Sequence, residues 1–198
     1  MLKFISFGSG SSGNSYLLFT ETCKIMIDAG LGVRNLKKEF KDNNIDMSDI
    51  KYIFLTHDHA DHVKSVGSLS YGLNIPVYAT AKVHEGVNRN YCVHRKIPLG
   101  NVKYVEKGVT LQIDDFLITP FGVPHDSRDN VGYKIQYGDV TFCLITDAGY
   151  VTEDMKKAVS EANYLVLESN HDKEMLMNGP YSDFLKERIA GPGGHLSR

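Results

Sequence analysis

The order of strand-like and helix-like segments predicts an α+β chain, with two sheets packed face to face and helices outside, built from two similar halves. Three observations carry this. Strands come first in a meander, then alternate with helices, and that order then repeats. Short Asp/Gly connections at Asp114-Asp115 and Gly138-Asp139 mark hairpins, too many for a single doubly wound parallel sheet. Four apolar runs, ending near Leu55, Gly122, Ile145 and Leu167, each open into a loop carrying acid or imidazole groups. At 198 residues the chain is read as one domain, 1–198.

Leu2–Phe7 alternates like a strand and ends in Gly8-Ser9-Gly10-Ser11-Ser12-Gly13-Asn14. No Gly-Lys-Ser/Thr follows, so the turn is not a P-loop. Two readings stand: a flexible hairpin loop, or a turn whose N–H groups and hydroxyls, with Ser12 and Asn14, face an anionic substrate. Tyr16–Phe19 and Ile25–Ile27 read as strands, closed by Asp28-Ala29-Gly30. Val33–Asn43 has apolar residues at helical spacing.

Tyr52–Leu55 reads as a buried strand that leaves the sheet through Thr56-His57-Asp58-His59-Ala60-Asp61-His62. Five ionisable residues in six positions fit a metal site better than a solvated turn. Imidazole and carboxylate suit borderline divalent ions such as Zn, Mn or Fe. Val63, Val66, Leu69 and Leu73 then continue at helical steps, placing ligands near a helix start. Ile75–Ala79 is a strand, followed by a helix to about Asn90.

From Lys103 to Ile145 the pattern is hairpins, with strands at 110–113, 116–119, 131–137 and 140–145. Val151–Ala162 is helical, with Glu153 and Asp154 in its first turn. Tyr164–Leu167 is a strand and Tyr181–Ala190 a helix. Further candidate ligands follow strands at His125, Asp147 and Glu168-Ser169-Asn170-His171-Asp172. His171 reads as a substrate contact, a further ligand or a residue that orders its loop. His84 and His94 stand in no cluster and read as ordinary surface or helix residues.

Net charge is −2, so no strong basic surface advertises nucleic acid. Cys23, Cys92 and Cys143 form no CxxC pair and read as small apolar residues in a reducing compartment. No apolar run reaches about 18 residues, and no charged-then-apolar leader is present. The expected location is cytoplasmic, with no membrane partner. Nothing in the sequence sets the oligomeric state.

His57-x-His59-x-Asp61-His62, a distant His125 and then Asp147 together resemble the metallo-β-lactamase superfamily. With the Gly8–Asn14 turn, Gly122–Asp126, Thr146–Val151, Glu168–Asp172 and Gly194-His195-Leu196-Ser197, the chain is similar to the YycJ/WalJ-type hydrolases. The resemblance implies a four-layer αββα sandwich with a dinuclear site of Zn or Mn, Fe being compatible. It implies that His57, His59 and His125 hold the first ion, Asp61 and His62 the second, and that Asp147 bridges. The implied activity is phosphodiester hydrolysis by a metal-bound hydroxide, as in 5′-to-3′ DNA exonucleases, on single-stranded or duplex DNA. Asp61 would also orient the hydroxide, and His195 would neutralise the phosphate or protonate the leaving oxygen.

The same resemblance implies one more histidine, on a strand after a further helix beyond Ser197. The chain reads as lacking that final helix and strand, either as a truncated product or as a short form with an open coordination position. On both readings the second ion binds less firmly or its site stays empty, and an exposed sheet edge is expected. Two competing functions follow. One is thioester or other carbonyl hydrolysis, of the glyoxalase II kind. The other is a non-enzymatic metal-binding pseudoenzyme, should the missing ligand be genuine.

Overall fold

The computed structural model describes residues 1–198, and the chain divides into two compact units, Met1–Val105 and Glu106–Arg198. In the first unit, β1 (Lys3–Gly8), β2 (Ser15–Phe19) and β3 (Lys24–Ile27) form an antiparallel meander. After α1 (Val33–Asp42), β4 (Ile50–Phe54) pairs parallel with β3. Two short helices follow, α2 (Ala60–Val63) and α3 (Val66–Leu73). Then β5 (Val77–Ala79), α4 (Ala81–Arg89) and β6 (Val102–Tyr104) extend the sheet in parallel to give the order β1 to β6. The apolar stripe of α1 buries Leu36 and Phe40 with Leu17, Met26, Ile53, Leu55, Val66 and Val77. Thr80 caps α4 by accepting from the Val83 N–H.

The second unit begins with the hairpin β7 (Leu111–Ile113) and β8 (Phe116–Gly122), followed by β9 (Val131–Tyr137) and β10 (Val140–Ile145). The turns sit where Asp114-Asp115 and Gly138-Asp139 place them, with Asp114 and Gly138 at positive φ. After α5 (Glu153–Ser160), β11 (Tyr164–Leu167) pairs parallel with β10. Helices α6 (Lys173–Asn178) and α7 (Asp183–Ala190) complete the unit. Its sheet runs β11-β10-β9-β8-β7, so β11 is an edge, with Tyr164, Leu165 and Leu167 exposed. Phe121, Val123, Cys143, Ile145, Met155 and Ala158 pack together beneath α5.

Two features differ from the sequence reading. Val102–Tyr104 opens no hairpin; it pairs parallel with β5 in the first sheet. A helix at Lys173–Asn178 lies where the sequence reading assigned no element, and Asp172 caps it by accepting from the Met175 N–H. The three cysteines form no disulfide, and burial pushes the Cys143 thiol up to about 12, consistent with a packing role. No helix is long and apolar enough to cross a membrane.

Candidate metal centre

In the first unit, buried β4 delivers the histidine loop, and a polar network beneath it sets each ring. Asp28 follows β3 at φ 59° and is wholly buried. Its carboxylate accepts from the Thr56 N–H, the Thr56 hydroxyl and His62 Nδ1, each at 2.8 Å. These bonds compensate a charge that would be very costly to bury alone. They also fix the proton positions. The single Thr56 hydroxyl proton goes to Asp28, so Thr56 Oγ1 accepts from His57 Nδ1 at 2.9 Å. Both His57 and His62 therefore carry their proton on Nδ1 and present a basic Nε2.

His59 precedes α2, and its carbonyl accepts from the His62 N–H at 2.9 Å, closing the loop into a tight turn. The His57 and His59 rings lie 4.7 Å apart between centroids, and those of His57 and His62 lie 4.1 Å apart. His62 Nε2 lies 3.8 Å from Asp61 Oδ2. Asn14 is buried, and its amide donates to Asp61 Oδ2 at 3.2 Å and lies 2.9 Å from His62 Nε2. Asn14, set facing substrate in one of the two readings of its turn, braces the loop through these contacts. Ser12 is exposed on the turn, where its carbonyl accepts from Lys64 Nζ. A Cβ on Gly30 would lie 1.5 Å from the Asp61 carbonyl oxygen, so only glycine lets these backbones meet.

In the second unit, His125 follows β8 and donates from Nδ1 to the Gly194 carbonyl at 3.0 Å, so its Nε2 is again the basic nitrogen. That Nε2 lies 3.9 Å from Asp147 Oδ2. Asp147 follows β10 at φ 46°, and its carbonyl accepts from Asn130 Nδ2. The tripeptide Asp-Ala-Gly thus occurs after a strand in each unit, at 28–30 and 147–149, with the aspartate left-handed both times. Its glycine is a close-approach residue both times, since a Cβ on Gly149 would lie 2.0 Å from the Pro192 oxygen.

The last residues are pinned to this edge. The Asp126 N–H donates to the Gly193 carbonyl, and the His195 N–H donates to Ile189. His195 Nδ1 is hydrogen-bonded to Glu168 Oε1 and lies 3.6 Å from Asp147 Oδ1. Glu168 is held in turn by the Ala148 N–H at 2.7 Å and the Leu196 N–H at 3.3 Å. The Glu168 hydrogen bond holds the His195 imidazole above its ordinary pKa against the opposing effect of burial, and the carboxylates of Glu168, Asp147 and Asp126 add to the rise. His171 pairs with Ser197 in an isolated bridge. Together with His195, Tyr150 and Lys173 it lines a cavity of about 440 Å³.

Within the first unit His57, His59, Asp61 and His62 converge, and within the second His125, Asp147 and His195 converge. Two residues escaped the sequence reading as site builders, Asp28 and Thr56; Glu168, named there among the candidate ligands, holds His195. The repeated Asp-Ala-Gly was the available signal for Asp28. The donor set fits a divalent ion, because His57, His62 and His125 each have Nδ1 held by an oxygen, which puts the ring's acceptor lone pair on Nε2. An oxygen partner on the far ring nitrogen is how proteins orient metal-binding imidazoles and raise their basicity. Nitrogen and carboxylate donors without thiolates suit Zn, Mn or Fe.

Comparison with known proteins agrees with this geometry. The family model described as "Beta-lactamase superfamily domain" matches residues 24–196. The exodeoxyribonuclease YycJ of Bacillus anthracis is 34% identical over 195 residues, which is 98% of this chain and 73% of that protein. The exodeoxyribonuclease WalJ of Streptococcus pneumoniae is 35% identical over 98% of this chain and 72% of its own length. Among solved structures, Zn-bound PqqB from Methylobacterium extorquens superposes with a TM-score of 0.71 at 18% identity, covering 93% of this chain and 68% of that one. These likenesses show the metallo-β-lactamase fold.

Proposed function

The chain belongs to the beta-lactamase superfamily and is a metal-dependent hydrolase of that fold, and from that footing we propose that it is a nuclease hydrolysing DNA phosphodiesters from a 5′ end. The observation that carries the phosphate reading is the Glu168–His195 pair beside Asp147. A histidine backed by a carboxylate suits a reaction whose substrate is anionic and whose leaving group is an alkoxide. A neutral thioester makes less use of it. The names of the YycJ and WalJ relatives supply the DNA and exonuclease part of the proposal.

In this reading His57, His59 and His125 would hold a first ion, Asp61 and His62 would hold a second, and Asp147 would serve both. Two such ions, when bound, acidify a water and offset charge building on phosphate oxygens. Asp61 orients the attacking water through its free oxygen lone pairs. The water oxygen, its proton released to solvent, forms the new P–O bond as the bond to the leaving sugar oxygen breaks. His195 keeps Nδ1–H on Glu168 and passes its Nε2 proton to that leaving oxygen. The cavity beside His171 and His195 falls within the roughly 300–1,000 Å³ range of small-ligand sites, and it offers a seat for one nucleotide of the substrate.

The test is a substrate panel on purified chain supplied with Mn or Zn: 5′-labelled single-stranded and duplex DNA, RNA, cyclic nucleotides, and an acyl-glutathione thioester. Stepwise loss of nucleotides from DNA supports the proposal. Turnover confined to the thioester overturns it in favour of carbonyl hydrolysis.

A further inference from the structure

Building on the nuclease reading, we propose that Arg89–Lys96 forms a platform for single-stranded DNA, with the Tyr91 ring stacking on a base and Arg89, Arg95 and Lys96 meeting flanking phosphates. Charge first singles out this region. The unit Met1–Val105 carries 13 Lys and Arg against nine Asp and Glu, a net of +4, whereas Glu106–Arg198 carries nine against 15, a net of −6. Between residues 86 and 105 there are four cations and no carboxylate. A near-neutral total thus conceals a basic stretch.

The segment is built and held in place. Leaving α4, the chain turns on Asn90, whose side-chain oxygen accepts from the Cys92 N–H at 2.9 Å. The Asn90 carbonyl accepts from Lys96 Nζ at 2.9 Å, leaving that ammonium further protons to donate. Val93 is buried and anchors the middle. A Cβ on Gly67 would lie 1.6 Å from the Arg95 carbonyl, so the segment rests directly on α3. The Arg95 guanidinium lies 4.1 Å above the exposed Tyr71 ring, which fixes its plane and leaves its edge for an anion. Between these anchors Tyr91 stands 87% exposed.

Its position ties it to the metal loop. Asn90 Nδ2 donates to the carbonyl of Asp58 at 2.9 Å, and Asp58 lies between His57 and His59. A strand leaving the His57–His62 loop on this side meets an aromatic face flanked by cations. That combination is how proteins bind single strands without reading sequence. The exposed Arg89–Glu85 pair, 3.4 Å apart, is a weak surface contact that a phosphate can displace. An acidic peptide would use the cations but gain nothing from a stacking ring, so Tyr91 decides between the two.

The experiment is fluorescence anisotropy of a 5′-fluorescein oligothymidylate with hydrolysis-resistant phosphorothioate linkages, titrated with the metal-loaded full chain across a salt series. Tyr91→Ala should weaken binding about five- to hundredfold, and Tyr91→Phe should bind like wild type. Arg95→Gln combined with Lys96→Gln should lower the slope of log affinity against log salt by about 1.4, two phosphate contacts on a single strand. The ratio of DNA cleavage to bis(p-nitrophenyl) phosphate hydrolysis should fall in parallel for Tyr91→Ala, with an unchanged melting temperature showing that the variant folds. Wild-type affinity in both Tyr91→Ala and the double variant overturns the platform while leaving the nuclease reading intact. Loss in the double variant but not in Tyr91→Ala also overturns it, leaving a plain charged surface. A wild-type chain that neither binds nor cleaves the oligonucleotide removes both the platform and the nuclease reading.

Discussion

Asp28 Oδ2 accepts the Nδ1 proton of His62 at 2.8 Å, with both side chains wholly removed from solvent. The carboxylate touches no substrate, yet it determines which nitrogen of His62 is basic. Asp28→Asn replaces one of its two acceptor oxygens with an NH2 donor while three donors still need partners. The ion assigned to His62 should then bind about 10- to 100-fold more weakly, the usual cost of losing such an oxygen partner. Metal titration by isothermal calorimetry checks this. Wild-type affinity in a folded variant would remove Asp28 from the account.

Glu168 stands to His195 as Asp28 does to His62, but it should govern turnover rather than metal. Glu168→Gln keeps the shape and the acceptor oxygen while removing the charge that favours protonated His195. DNA cleavage should fall roughly 10²–10⁴-fold, the range general acid catalysis contributes, with metal content unchanged. A variant that loses metal along with activity would instead place Glu168 among the ligands.

Much of this was written locally in the chain. The loop at 57–62 is legible because ionisable residues crowd the end of an apolar strand, and the hairpins because Asp114-Asp115 and Gly138-Asp139 favour tight turns. The supporting residues were harder to see. Asp28 and Glu168 act through partners 34 and 27 residues away, and no local spacing announces such a bond. β6 was missed because three residues, Val102–Tyr104, carry too little periodicity to separate a parallel edge strand from a hairpin arm. One reading of the Gly8–Asn14 turn sets Asn14 facing substrate because its neighbours are glycines and serines; its burial against Asp61 depends on the Gly30 backbone passing within reach.

His84 offers a pH test away from the metal centre. It is buried on α4, and burial lowers its pKa below the ordinary value although its Nε2 donates to the Lys103 carbonyl. The unfolded chain therefore binds a proton at this site more readily than the folded one. The stability this neutral side chain contributes is fully present above about pH 6.5 and is lost as pH falls toward the depressed value. Melting temperatures should drop as pH falls below about 6.5 in the wild type, and less steeply in His84→Gln, whose amide can still donate to Lys103. Parallel pH profiles for the two would show that His84 does not titrate in this way.

The central claim is that one chain holds two catalytic divalent ions on His57, His59, Asp61, His62, His125 and Asp147. Elemental analysis of metal per chain, by plasma mass spectrometry on purified wild type and Asp147→Ala with hydrolysis of bis(p-nitrophenyl) phosphate read in the same samples, tests it most directly. The wild type should carry up to two ions, the second lost first on dialysis against chelator, and Asp147→Ala should lose both metal and hydrolysis. A wild type without bound metal that still hydrolyses the ester, or an Asp147→Ala chain with undiminished metal and turnover, would contradict the account.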